Sequence, residues 1–179
     1  MDTEIRTALP GELDAAGELA AAVYLRDGLL THGERDPYLA ELRDARGRAA
    51  HGEVLVAAGP AAPGAPPLGT VTFAPPGSAL TEVAAGAHEA EFRMLAVSPA
   101  ARGRGVGEAL VRACLDRATA LGCRRVVISS LSQMRTAHRL YQRLGFAREP
   151  QRDWEPRPGI RLRAFAIDLT PPSEQRHNI

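Results

Sequence analysis

Lysine is missing from this sequence: all 22 cationic side chains are arginine. No Schiff-base lysine and no Walker lysine can act in such a chain, which removes two reaction classes at once. The lysine-free composition reads as the mark of a GC-rich bacterial genome. Cysteine is scarce as well. Cys114 and Cys123 are too few for a disulfide framework, and neither stands in a CxxC or a Cys/His cluster. The five histidines, His32, His51, His88, His138 and His177, lack the close spacing of a helix-borne metal site, so no metal is expected. No stretch approaches the roughly 18 uninterrupted apolar residues of a membrane span, and the opening MDTEIRTALP has no basic region followed by an apolar core. A cytoplasmic protein with no membrane partner is expected. A net charge of +1 supplies no concentrated basic surface, so nucleic acid is not an expected partner either.

What remains is a chain of 179 residues, enough for one domain with a real hydrophobic core. A single domain is expected over residues 1–169, followed by a disordered tail over 170–179, where TPPSEQRHNI has nothing to bury. Strands are predicted over 4–8, 53–59, 68–74, 91–97, 124–131 and 161–169, from β-branched and alternating runs. Helices are predicted over 10–25, 37–48, 105–121 and 134–144. In the third of these Val106, Ala109, Leu110, Ala113, Cys114, Ala118 and Leu121 recur at helical spacing. The order gives one mixed sheet with helices on its faces and a central parallel β-α-β unit. The polar stretch RDGLLTHGERD and the long connection PPGSALTEVAAGAHEA are candidate substrate-facing loops.

The stretch SPAARGRGVGEALV, Ser98 to Val111, sets three glycines and two arginines between a strand and a helix. A helix start carries unpaired N–H groups and about half a positive charge, and Gly103, Gly105 and Gly107 let the backbone approach an anion closely. Arg102 and Arg104 add charge at the same point, and together they suit phosphate. The Walker pattern fails because the turn continues Val-Gly-Glu. A dinucleotide fingerprint beginning at Gly103 fails because Glu108 stands where its third glycine belongs, and the next strand, RRVVISSL, lacks the acidic residue for a ribose.

The surviving pattern is Arg102-x-x-Gly105-x-Gly107, preceded by MLAVSP and followed after one strand by AHRLYQRLGF. It resembles the GNAT superfamily of acetyl-CoA-dependent N-acetyltransferases, whose coenzyme signature is (Gln/Arg)-x-x-Gly-x-(Gly/Ala) at a helix start. The resemblance covers residues 91–146. It implies an α/β mixed sheet of about seven strands with about four helices, in which splayed parallel strands hold acetyl-CoA. It also implies acetyl transfer to a small-molecule, peptide or protein amine, and it suggests a homodimer. The coenzyme-binding residues it implies are Leu95, Ala96, Val97, Arg102, Gly103, Arg104, Gly105, Val106 and Gly107, with the backbones of Leu95 and Val97 holding the pantetheine arm.

Acyl transfer to an amine needs a proton acceptor for the ammonium and a proton for the departing thiolate. Tyr141 stands where the resembled family carries the tyrosine that protonates the thiolate. Glu91, at the head of the strand that reaches the thioester, is the candidate base, acting through water; Glu89 competes for that role. Met134 departs from the family, which commonly has an asparagine there that contacts the coenzyme arm; Ser132 or Gln133 are the local substitutes. Both cysteines read as small buried hydrophobes, which favours direct attack in a ternary complex over an acetyl-cysteine intermediate. The alternative reading is an acyl-CoA-binding module of the same fold without turnover. Trp154, in EPQRDWEPRPGIR, is a candidate wall of the acceptor pocket.

Overall fold

The computed structural model describes residues 3–60 and 64–169; the expected disordered tail lies outside the described residues. The elements run β1 Glu4–Thr7, α1 Leu13–Arg26, α2 Tyr38–Arg43, α3 Ala45–Ala49, β2 Glu53–Ala58, β3 Gly69–Ala74, β4 Glu89–Val97, α4 Val106–Ala120, β5 Arg125–Leu131, α5 Arg135–Leu144, β6 Ala147–Arg148, β7 Trp154–Arg157 and β8 Ile160–Asp168. The chain divides into two compact units, Met1–Phe73 with Arg93–Ala113, and Ala74–Phe92 with Cys114–Ile179. Strand β4 and helix α4 each run from one unit into the other.

In the first unit β1, β2 and β3 form an antiparallel ladder, with Ile5 opposite Ala57 and Val54 opposite Thr72. Val54 and Val56, two apart and so on one face of β2, pack against Ala16 of α1 and Ala45 of α3. Helix α1 starts where Glu12 takes the Leu9 N–H at 2.8 Å and a two-pronged Arg6 contact at 2.8 Å per prong. Gly69 opens β3 where a side chain has no room: an added Cβ would lie 2.9 Å from both Leu110 Cδ1 and Val106 Cγ1. The first turn of α4 therefore rests directly on β3, and the Ser98 N–H reaches the Leu68 carbonyl at 2.8 Å. Fully buried Leu110 contributes about 2 kcal/mol of apolar burial to that seat.

In the second unit β5 pairs in parallel with the start of β4, Glu89 with Arg125 and Ala90 with Val126, and along its whole length antiparallel with β8. Two further strands, β6 and β7, pair with β8, so the closing segment around Trp154 is partly sheet where no strand was predicted. The described residues form eight strands and five α-helices, where about seven and about four were expected. The extra helix arises at Asp44. Its side chain accepts the Gly47 N–H at 2.9 Å, which caps α3 and ends α2, so the helix predicted over 37–48 is two helices. The other departure is Leu121: 59% exposed just past α4, it is not on the buried face the spacing assigned to it.

Candidate active site

The glycine turn follows a short 3-10 stretch, Pro99–Ala101, and leads into α4. Gly103 and Gly105 have φ of +73° and +76°, left-handed values that a Cβ disfavours, and nothing lies within 4 Å of a Cβ built at either position. Gly105 accepts the first helical bond, from the Ala109 N–H at 3.0 Å, so the leading amides of α4 emerge beside an open face. Val106 is buried and anchors the helix start, whereas Arg102 and Arg104 are exposed. The Arg102 guanidinium meets Asp27 Oδ2 at 2.8 Å, at the C-terminal end of α1. Sequence spacing gives no sign of this partner 75 residues away.

Strand β4 carries Leu95, Ala96 and Val97, of which Ala96 is buried and its two neighbours half-buried. Just before them Met94 has φ +57°, the only non-glycine residue with positive φ among the described residues. A side chain in that region interrupts a regular ladder and is held only where its surroundings impose it. The sequence holds no cue to it, because methionine is not a residue that favours left-handed backbone.

Tyr141, buried on α5, sits among Phe92, Phe146 and Phe165, with ring centroids 5.8, 5.7 and 5.8 Å away. Burial, and next the neighbouring Cys114 thiol, push its phenol well above the usual tyrosine range. The hydroxyl keeps its proton at neutral pH. Gly145, at φ +103°, ends the helix and sends the Phe146 N–H back to the Tyr141 carbonyl at 2.9 Å.

Glu91 is 1% exposed, so the sequence's strand-end glutamate is a buried carboxylate. Its Oε1 accepts three consecutive backbone N–H groups, from Glu82 at 3.0 Å, Val83 at 2.9 Å and Ala84 at 2.9 Å. Three donors on one oxygen stabilise the ionised form. Both oxygens of Glu89 are held by Arg152, at 2.8 and 2.9 Å. Neither arrangement is legible locally, since loop 75–88 and Arg152 reach β4 only in the folded chain.

His138, one of five scattered histidines in the sequence, gains a defined place in the fold. It is buried one turn before Tyr141, its ring 4.9 Å from that of Phe165, with Nε2 3.2 Å from Ser130 Oγ. Ser130 in turn donates to the Met134 thioether at 3.6 Å. The i,i+3 spacing of His138 and Tyr141 is the available signal, as these are the two buried residues of α5. Cys114 and Cys123 are both buried and neither is in a disulfide, and burial raises the Cys123 thiol above its ordinary range. Among the described residues no group of three His, Cys, Asp or Glu side chains is placed to hold a metal ion, and no helix is long and apolar enough to cross a membrane.

A mixed sheet in which β4 and β5 run parallel, joined through a left-handed glycine turn and α4, defines the α+β class of this protein. Residues 21–146 match the model of the acetyltransferase (GNAT) family, and the chain belongs to that family. It is an acetyl-CoA-dependent N-acetyltransferase, and GNAT acetyltransferases act on amine acceptors. Solved structures agree in fold. The yncA protein of Salmonella typhimurium, described with its cofactor acetyl-CoA, is 21% identical with a TM-score of 0.67, covering 95% of each chain. A GNAT-family acetyltransferase from Staphylococcus aureus is 12% identical with a TM-score of 0.72, over 94% of this chain and all of that one. A GCN5-related N-acetyltransferase from Kribbella flavida is 26% identical with a TM-score of 0.64, over 93% and 98%. No curated protein matches the chain.

Proposed function

We propose that the protein acetylates a primary amine by direct attack on acetyl-CoA in a ternary complex, with Tyr141 as general acid and Glu91 as general base. The coenzyme is held by Leu95, Ala96 and Val97 along β4 and by Arg102, Gly103, Arg104, Gly105, Val106 and Gly107 at the head of α4. The left-handed turn at Gly103 and Gly105, with open space where a Cβ would stand, supports the fit by leaving the helix start accessible to a phosphate group. Acetyl-CoA supplies an activated acyl thioester, and the chain's own groups supply the rest.

An alkylammonium must lose a proton before it can attack, and the leaving sulfur must gain one. The observation that carries the reading is the Tyr141 phenol, buried in an aromatic shell that keeps it protonated. An alkyl thiolate expelled into the same dry surroundings is destabilised by burial in the same way, and a neutral phenol is a donor that can return its proton. The buried Glu91 carboxylate, fixed through one oxygen by three amides, suits proton collection through a water. Direct attack is favoured because both cysteines are buried and the Cys123 thiol is harder to ionise than an ordinary one.

The test is release of the coenzyme thiol from acetyl-CoA with a panel of L-amino acids, aralkylamines and a lysine-containing peptide. Tyr141→Phe lowers kcat by about 10- to 100-fold and leaves the coenzyme Kd within about twofold. An unchanged kcat refutes the acid assignment. Coenzyme binding without amine-dependent thiol release would instead mark a binding module.

A further inference from the structure

The loop ahead of β4 is held at a single residue from two sides. The Val83 N–H goes to Glu91 Oε1 at 2.9 Å, and the Val83 carbonyl takes Arg152 Nη1 at 3.0 Å. The same guanidinium forks onto Glu89, two residues before Glu91 on β4. These contacts close a ring: Glu91 to Val83, Val83 to Arg152, Arg152 to Glu89, and Glu89 back along the strand to Glu91. Glu89 and Glu91 are about 7 Å apart along the strand and share a face, so their charges repel. Arg152 stands against one of them and neutralises it.

We propose that Arg152 is a positioning residue for Glu91: it holds the carbonyl of the Val83–Ala84 peptide, whose Ala84 N–H orients the Glu91 carboxylate, and cancels the charge of Glu89 beside it. The inference rests on the reading of Glu91 as the base. Nothing in it needs Arg152 to touch a substrate. The charged groups around this ring include Glu89 on the same strand, Glu82 of the loop whose N–H meets Glu91, Arg152 and Glu149 on the segment after α5, and Arg125 on β5, which is itself paired with Glu149 and with Asp168 of β8. Arg152 is the cation whose two prongs meet the Glu89 carboxylate, so its removal leaves a partly buried anion next to the base.

The pH profile of kcat/KM reads this out. In the parent the rising limb follows ionisation of the base. In Arg152→Ala the uncompensated Glu89 charge makes Glu91 harder to ionise, so the limb moves up by about one pH unit, and kcat at neutral pH falls about tenfold. Glu89→Gln in the Arg152→Ala background removes the repelling charge and returns the limb to the parental position, which recovery of folding alone would not do. Arg152→Lys keeps a charge but not the fork, and its limb lies between those of the parent and Arg152→Ala. Acetyl-CoA turnover with the fastest amine of the panel is the assay, with cooperative thermal unfolding confirming that each variant folds.

A limb unmoved in folded Arg152→Ala overturns the proposal while leaving the base in place, provided Glu91→Gln abolishes the limb. A Glu91→Gln enzyme with parental turnover and profile overturns both the base assignment and this inference. The two failures are told apart by that one variant.

Discussion

Gly105→Asp separates a phosphate seat from an ordinary turn. Gly105 has φ +76° with nothing within 4 Å of where a Cβ would stand, so aspartate meets no clash there and the cost to folding is left-handed backbone strain. That strain is roughly 1–2 kcal/mol for an L-residue, and less for aspartate, which tolerates this region better than most. For a chain of this size it corresponds to a loss of roughly 2–8 °C in Tm. Binding suffers far more. A carboxylate about 5 Å from one phosphate charge at an effective dielectric near 20 costs about 3 kcal/mol, or roughly a hundredfold in Kd. Gly105→Ala carries at least the strain of the aspartate variant without its charge, so in folded protein the excess loss of binding in Gly105→Asp reports electrostatics. Calorimetric titration with coenzyme A at low and high salt measures it, and added salt narrows the gap. An aspartate variant that unfolds cooperatively and binds coenzyme A within threefold of the parent refutes the placement of the diphosphate at this helix start.

Asp27 sits at the C-terminal end of α1, where an anion is disfavoured, and holds Arg102 through an exposed contact. Asp27→Asn frees the guanidinium and tightens coenzyme A binding by about two- to fivefold; an unchanged or weaker Kd by titration shows that Arg102 does not turn to the coenzyme. For His138, burial first, and then the charges of Arg163 and Arg148, hold the imidazole below its ordinary range against a Leu131 backbone bond that pulls the other way. The unfolded chain then takes up the proton more readily, so this group's contribution to stability is complete above about pH 6.5 and is lost as pH falls through the folded value. Tm declines between pH 7.5 and 5, and His138→Phe flattens that decline; an identical slope in the variant places the titration elsewhere.

The sequence by itself determined the elements and the glycine turn that opens α4, because both are written in short-range pattern. Helical spacing placed α1, α4 and α5, β-branched runs placed β2 and β3, alternation placed β8, and the glycines marked a turn with left-handed backbone ahead of α4 before any distance was known. The local rules failed where a single side chain overruled them: Asp44 split a helix, and Leu121 continued an apolar stripe past the point where α4 has anything to cover.

Only the tertiary structure decided what surrounds the two carboxylates of β4. Glu91 read only as a glutamate at the head of a strand, and it lies buried under amides from a loop seven to nine residues upstream. Glu89 found its arginine 63 positions later, and Arg102 found Asp27 from 75 positions earlier. A local pattern records the geometry a residue imposes on its own few neighbours. The charge environment of a buried group is set by chain segments that meet only when the hydrophobic core closes, and no periodicity in the sequence carries their distance.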